Sequence, residues 1–318
     1  MPSPPLTDRR LVFVLGKGGV GKTTVAAALA LGLADRGHRT LLIEVAAETR
    51  TAAVFGTAPP VDAPVELRPG LFALSVDAEQ AMQEYLSIQL KVRPLVEMMS
   101  RSRAFHQVTQ AAPGLAELVT LGKIWDLAIA VRGGRPVWDR LVVDAPATGH
   151  GLALLQAAAS MRDLAGSGPI SDQADAIERV VRHPEATGVV VVAIPEELAV
   201  TEAAEAVALM RERGVPVACA VANAVRTSPF GPGDADALRT VLGDPAAGPA
   251  ERAAAGAALA TVDGAAHDAR EVRALGDGCA LPVAMLPAVP DLAPGSGGVE
   301  HLSATLMADP ALGGTGAS

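Results

Sequence analysis

Only two cysteines, Cys219 and Cys279, occur in 318 residues. They are too few for a disulfide framework and form no Cys-x-x-Cys pair for a shared zinc clamp. Cys219 lies inside an apolar run, where a small buried hydrophobe is the simpler role. Basic charge is also scarce: 26 Lys and Arg against 35 Asp and Glu leave a formal net charge of −9. No sequence-wide cationic footprint is left for nucleic acid, so no nucleic-acid partner is expected. No run approaches the ~20 apolar residues that span a bilayer. The polar, proline-rich start, Met1 to Arg10, is unlike a secretory signal, and no basic amphipathic helix closes the chain. Nothing repeats internally. These absences lead us to expect a cytoplasmic protein that meets a membrane only through a partner.

What is present is a large apolar content, 50% of the residues, enough for a sizeable core. Strand-like runs at Leu11–Leu15, Thr40–Val45, Leu71–Val76, Arg140–Asp144, Gly188–Ile194, Val215–Ala222 and Pro282–Leu286 alternate with longer helical stretches. That alternation predicts an α/β fold with a mostly parallel sheet flanked by helices. We expect one domain over residues 11–294 with a helical subregion about 78–135, a flexible N-terminus over 1–10 and a flexible C-terminal tail over 295–318. The tract from Gly231 to Gly264, rich in alanine, glycine and aspartate, reads as loosely structured with short surface helices such as Ala250 to Leu259.

Chemistry concentrates between the first strand and the alanine-rich stretch Val25 to Leu33, in Gly16-Lys17-Gly18-Gly19-Val20-Gly21-Lys22-Thr23-Thr24. A G-x-x-x-x-G-K-[ST] loop in a strand–loop–helix setting cradles phosphates, because its backbone N–H groups converge and the helix presents its positive dipole end. Lys22 is then placed to reach the β and γ phosphates of ATP, and Thr23 to offer its hydroxyl to Mg²⁺. Arg140-Leu141-Val142-Val143-Asp144 is an apolar strand ending in an acid, where such a site needs a carboxylate to hold Mg²⁺ through water.

Lys17 follows the first glycine and cannot easily reach its own γ phosphate. The GKGGVGKTT form resembles the deviant Walker A loop of the MinD, ParA, dinitrogenase-reductase and arsenite-pump ATPases, so the chain is identified as a P-loop NTPase of that type. The resemblance implies that Lys17 contacts nucleotide across a dimer interface; a solvated lysine is the plain alternative. After Asp144 comes Ala145-Pro146-Ala147-Thr148-Gly149-His150. It resembles the Asp-Thr-Ala-Pro-Thr-Gly-His segment of the ArsA arsenite-pump ATPases and the guided-entry ATPases that deliver tail-anchored membrane proteins. Thr148 to His150 is expected to form a loop that senses the γ phosphate. The likeness extends through Gly70 to Asp77, Pro113-Gly114, Ile194-Pro195-Glu196-Glu197-Leu198, Thr201-Glu202 and Val221-Ala222-Asn223. It implies that Asn223 reads the adenine edge and that Glu196 lies at the nucleotide across the dimer. Without the resemblance, Asn223 reads as a turn residue and Glu196 as a helix-start acid favoured by the dipole.

The chain also departs from that family. Where the family carries Asp-Pro-Ala, whose aspartate orients the attacking water, this chain has Ala46 in Leu42-Ile43-Glu44-Val45-Ala46-Ala47-Glu48. Glu44 and Glu48 are the candidate replacement acids. No long insertion stands between His150 and Thr187 to build a client groove. Met82, Leu86, Leu90, Leu95, Met98 and Met99, with the stretch Leu115 to Val131 and Trp125, read first as helical core; Phe105 and His106 carry no functional argument. Two isolated cysteines argue against arsenite sensing and against a bridging iron–sulfur centre. The resemblance implies a dimeric Mg-ATPase, homo- or heterodimeric, driving an anion-transport or membrane-targeting partner; the alternatives are a non-hydrolysing ATP-binding subunit and a MinD- or ParA-like positioning ATPase.

Overall fold

A computed structural model describes residues 4–45, 51–57, 63–90, 114–165, 168–231 and 233–312. Eight strands form one sheet, in chain order β1 (Leu11–Gly16), β2 (Thr40–Glu44), β3 (Val65–Arg68), β4 (Leu71–Ser75), β7 (Arg140–Asp144), β8 (Thr187–Ala193), β9 (Val217–Val225) and β10 (Val283–Pro287). Across the sheet they run β10-β9-β8-β1-β7-β2-β4-β3. All seven strands expected from the apolar runs are present and pair in parallel. The antiparallel edge strand β3 and a small hairpin, β5 (Val131–Arg132) with β6 (Arg135–Pro136), escape the sequence reading. Their residues are exposed or half-buried, so no apolar run announces them.

The central strands are apolar on both faces, because helices cover both; every residue of β8 is buried. One face packs against α1 (Lys22–Asp35) through Val12, Val14, Leu42, Val142 and Val190. The other packs against α4 (Leu115–Ile129), α5 (Thr148–Ala165), α6 (Pro169–Val181) and α7 (Glu197–Glu212) through Phe13, Leu15, Ile43, Val143 and Val191. Two more helices are described in this half of the chain, α2 (Ala52–Phe55) and α3 (Ala78–Leu90). Met82 of α3 is buried with Ala81 and Val119, and Trp125 packs against the main core, so both are core residues. Leu95, Met98, Met99, Phe105, His106 and Pro113 lie outside the described residues, as do the side chains of Leu86 and Leu90.

Three expectations about loose segments are corrected. The tract from Gly231 holds α8 (Asp234–Gly243) and α9 (Pro249–Cys279), the latter 31 residues long. Alanine's helix propensity outweighs the interior glycines there. Pro249 opens α9, and the Glu251 carboxylate accepts the Gly248 N–H at 2.7 Å, a cap that glycine content obscured. The C-terminal tail forms α10 (Gly298–Ala308), whose Val299, Leu302 and Leu306 are buried beside α1. A Cβ at Gly32 of α1 would stand 2.4 Å from Met307 Cγ, so glycine is what lets the two helices approach. The N-terminus is docked from Pro4 onward: Leu6 is 3% exposed, its N–H donates to Leu312 O at 3.0 Å, and Arg9 donates to Thr187 O at 3.2 Å. Among the described residues no helix is long and apolar enough to cross a membrane.

Because Leu302 is only 1% exposed in the α1–α10 seam, Leu302→Ala should destabilise the fold by about 2–5 kcal/mol. Urea denaturation of the purified variant checks this, and an unchanged midpoint would mean that α10 does not hold the core.

Candidate functional site

At β1 the strand order switches, with β7 on one side and β8 on the other. Such switch points open a crevice beyond the carboxyl ends of the strands. The glycine loop crosses that crevice between Gly16 and α1. Gly21 has φ +87°, and a Cβ there would stand 2.1 Å from Asn223 Nδ2, so both backbone and space require glycine. Asn223, at the end of β9 and 8% exposed, donates its side-chain amide to Val20 O at 2.9 Å. The residue expected to read a base fastens the glycine loop. Gly18 and Gly19 are exposed at the loop's outer bend, whereas Val20 is buried beneath it. Thr24 follows in the first turn of α1.

Lys22 is 5% exposed and donates its ammonium to Lys17 O at 2.8 Å, folded back over its own loop. A carbonyl is the partner a phosphate oxygen would replace. Beneath it, Thr23 Oγ1 donates to Asp144 Oδ2 at 2.6 Å, tying the start of α1 to the end of β7. Asp144 is in register with Glu44 of β2, and Glu44 with Ser75 of β4. Residues in register on parallel neighbours lie about 4.8 Å apart and point to the same face, here the α1 face. Three polar side chains thus line one edge, each buried: Asp144 6%, Glu44 1% and Ser75 4% exposed. Hydroxyl and carboxylate oxygens are the donors that Mg²⁺ prefers, so Thr23 and Asp144 fit that ion.

The Glu44 carboxylate also accepts the Thr51 N–H, at 3.3 Å to Oε1 and 3.4 Å to Oε2, and so ties the end of β2 to the residue before α2. Ala46 and Glu48 lie outside the described residues.

Within the single chain, the Lys17 ammonium meets Glu202 Oε1 of α7 at 2.7 Å. Thr201-Glu202 stood out in the sequence, but a partner for Lys17 did not, because the two are joined only when α7 packs beside the loop. Thr148 to His150 is the first turn of α5 and not a loop. The buried Leu152, Leu154 and Leu155 draw this segment into helix, and Gly151 admits Leu15, whose Cδ2 would lie 2.3 Å from a Cβ at that position. The His150 side chain is 81% exposed, with Nδ1 3.9 Å from Glu117 Oε1. Glu196 is exposed at the N-cap of α7, just beyond the carboxyl end of β8.

Comparison with known proteins agrees with this architecture. The family profile for anion-transporting ATPases (ArsA) matches residues 9–167. ATPase BagA of Mycobacterium tuberculosis is 34% identical over 225 residues, covering 69% of this chain and 66% of the relative. ATPase GET3B of Arabidopsis thaliana is 27% identical over 271 residues, 68% of this chain and 64% of the relative. The arsenical pump-driving ATPase of Acidiphilium multivorum is 28% identical over 152 residues, 46% of this chain and 25% of the relative. The chain thus spans a little under two thirds of the length of the mycobacterial and plant relatives.

Both cysteines are buried, in cores on opposite faces of the sheet, so their thiols do not converge on one ligand. Burial pushes the Cys219 thiol up to about 12 and raises that of Cys279 as well. Neither should react with an aromatic disulfide reagent at pH 8 in the folded protein, and both should react in urea. Fast labelling of the native chain would contradict the closed core.

Proposed function

The chain belongs to the anion-transporting ATPase (ArsA) family, and from this premise we propose that it binds Mg-ATP at its glycine loop between two protomers and hydrolyses it slowly. The observation that carries the reading is the 2.6 Å bond from Thr23 to Asp144 directly under the loop. It sets a hydroxyl and a carboxylate where a triphosphate and its cation would sit. Mg²⁺, when bound there by Thr23 and Asp144, would neutralise charge on the phosphate oxygens. Lys22 would exchange Lys17 O for phosphate oxygens. Lys17 would leave Glu202 to neutralise charge at the partner protomer's nucleotide; a half-exposed ion pair of this kind is worth only ~0.2–1 kcal/mol, which phosphate can outbid. Glu196, exposed beside the loop, would face that same interface. The first turn of α5 would relay the nucleotide state through Thr148 and His150.

Closing on ATP and opening after hydrolysis would drive a second protein. The relatives' names, an arsenical pump-driving ATPase and GET3B, suggest an anion-transport or membrane-targeting partner for a cytoplasmic ATPase. The separate thiols make direct arsenite binding by this chain the weaker choice.

A second reading has its own support. Ala46 cannot orient water, and the carboxylate of Glu44, one of the two candidate replacement acids, accepts the Thr51 N–H. On this reading the chain is an ATP-binding switch subunit, paired with a related chain that supplies the missing acid. Phosphoryl transfer rests on positioning and electrostatics, so loss of one orienting group slows turnover without abolishing it. We therefore favour slow hydrolysis.

Mg-ATP hydrolysis measured across protein concentration, beside Lys22→Ala, separates these readings. Turnover per subunit should rise with concentration and vanish in the variant, in step with lost ATP binding. ATP binding without turnover would select the switch subunit. Unchanged ATP affinity in Lys22→Ala would overturn the site assignment.

A further inference from the structure

Asp268 is completely buried, 0% exposed, in a helix whose other buried residues are Ala255, Leu275 and Cys279. A lone carboxylate at such a place is costly unless it is fully hydrogen-bonded. Arg226 bonds both of its oxygens: the backbone N–H donates to Oδ2 at 2.7 Å, Nε lies 3.1 Å from both oxygens, and Nη2 donates to Oδ1 at 2.5 Å. One turn earlier, Gly264 leaves the guanidinium a flat seat, since a Cβ there would stand 3.3 Å from Nη1 and 3.4 Å from Cζ. Helix α9 therefore carries a notch, built from Gly264 and Asp268, that fits one arginine.

Arg226 directly follows the tip of β9. That tip contains Asn223, then Ala224 at φ 57°, a left-handed conformation that a non-glycine residue keeps only under restraint, then Val225. Three contacts restrain it: Asn223 is bonded to Val20 O, Ala288 N–H donates to Val225 O at 2.9 Å, and Arg226 is clasped to α9. The Asn223 amide gives one N–H to Val20 O. Its other N–H and its carbonyl form the donor–acceptor pair that complements adenine N7 and N6 and mismatches guanine O6. Such readout depends on sub-ångström placement.

We propose that the Arg226–Asp268 clasp is the positioning device that holds the β9 tip so that Asn223 selects an adenine nucleotide. The inference rests on the reading of this crevice as an ATP site. Arg226 is not a contact to the reacting atoms; it acts through Asn223. The hydrogen bonds from Arg226 outweigh the burial that would raise the Asp268 carboxyl and hold it below its usual range, so the clasp stays ionised at neutral pH.

Mg-ATP, Mg-GTP and inorganic tripolyphosphate titrated into the full chain, Asn223→Ala, Arg226→Ala, Arg226→Lys and Asp268→Asn test it. The wild type should prefer ATP to GTP by about tenfold or more. In Arg226→Ala that ratio should fall to near one while tripolyphosphate affinity stays as in the wild type. Arg226→Lys should recover only part of it, because lysine lacks the two-pronged fork. If Arg226→Ala fails to fold, Asp268→Asn is read by the same ratio. A wild-type ATP/GTP ratio in both clasp variants overturns the inference, as does an equal loss of ATP and tripolyphosphate, which marks a general structural role. Wild-type protein that binds no ATP would sink the functional reading itself. If ATP binds and Asn223→Ala alone abolishes the preference, only the clasp fails.

Discussion

The hydrogen bond from Thr23 to Asp144 joins the first turn of α1 to the last residue of β7, and the geometry of the crevice follows from it. A helix that starts at the end of a central strand leaves its first N–H groups unsatisfied and its positive dipole end facing the loop. Fixing that start against the neighbouring strand aims the groups into the gap where the strand order switches. The same contact puts Thr23, Asp144 and, one strand further, Glu44 along a single buried edge.

Three further contacts clasp the same loop. Asn223 holds Val20 from the β9 side, Lys22 holds Lys17 O from within, and Glu202 holds the Lys17 ammonium from α7. These differ in strength for a physical reason. The Asn223 bond is buried and neutral, whereas the Lys17–Glu202 pair is about two-fifths exposed on both sides, screened by water and easily exchanged. The loop is therefore firm at its base and loosely tethered at its outer lysine. Glu44 makes a similar division, sharing the polar edge with Asp144 while bracing Thr51 beyond β2.

The helices that looked like loose sequence serve this arrangement. The seam of α10, made possible by Gly32, buries apolar residues against α1, the helix whose first turn holds Lys22 and Thr23. Helix α9 carries the buried acid that anchors the strand bearing Asn223. Both were obscured by glycine, which sequence reading treats as a breaker but which here provides room for a neighbour: Met307 at Gly32 and the Arg226 guanidinium at Gly264.

The seven parallel strands and the glycine loop were legible in the chain because each has a local signature: apolar runs of strand length, helix spacing between them, and glycines followed by Lys22 and Thr23. Asp144 was legible too, as an acid ending an apolar strand. By itself the sequence determined this much, since backbone propensity and burial act over a few residues. Only the tertiary structure decided that Lys17 pairs with Glu202, that Asn223 fastens Val20, that Thr148 to His150 opens a helix, and that Arg226 locks to Asp268. Those pairs are separated by 185, 203 and 42 positions for the first, second and last, and only chain packing sets such distances.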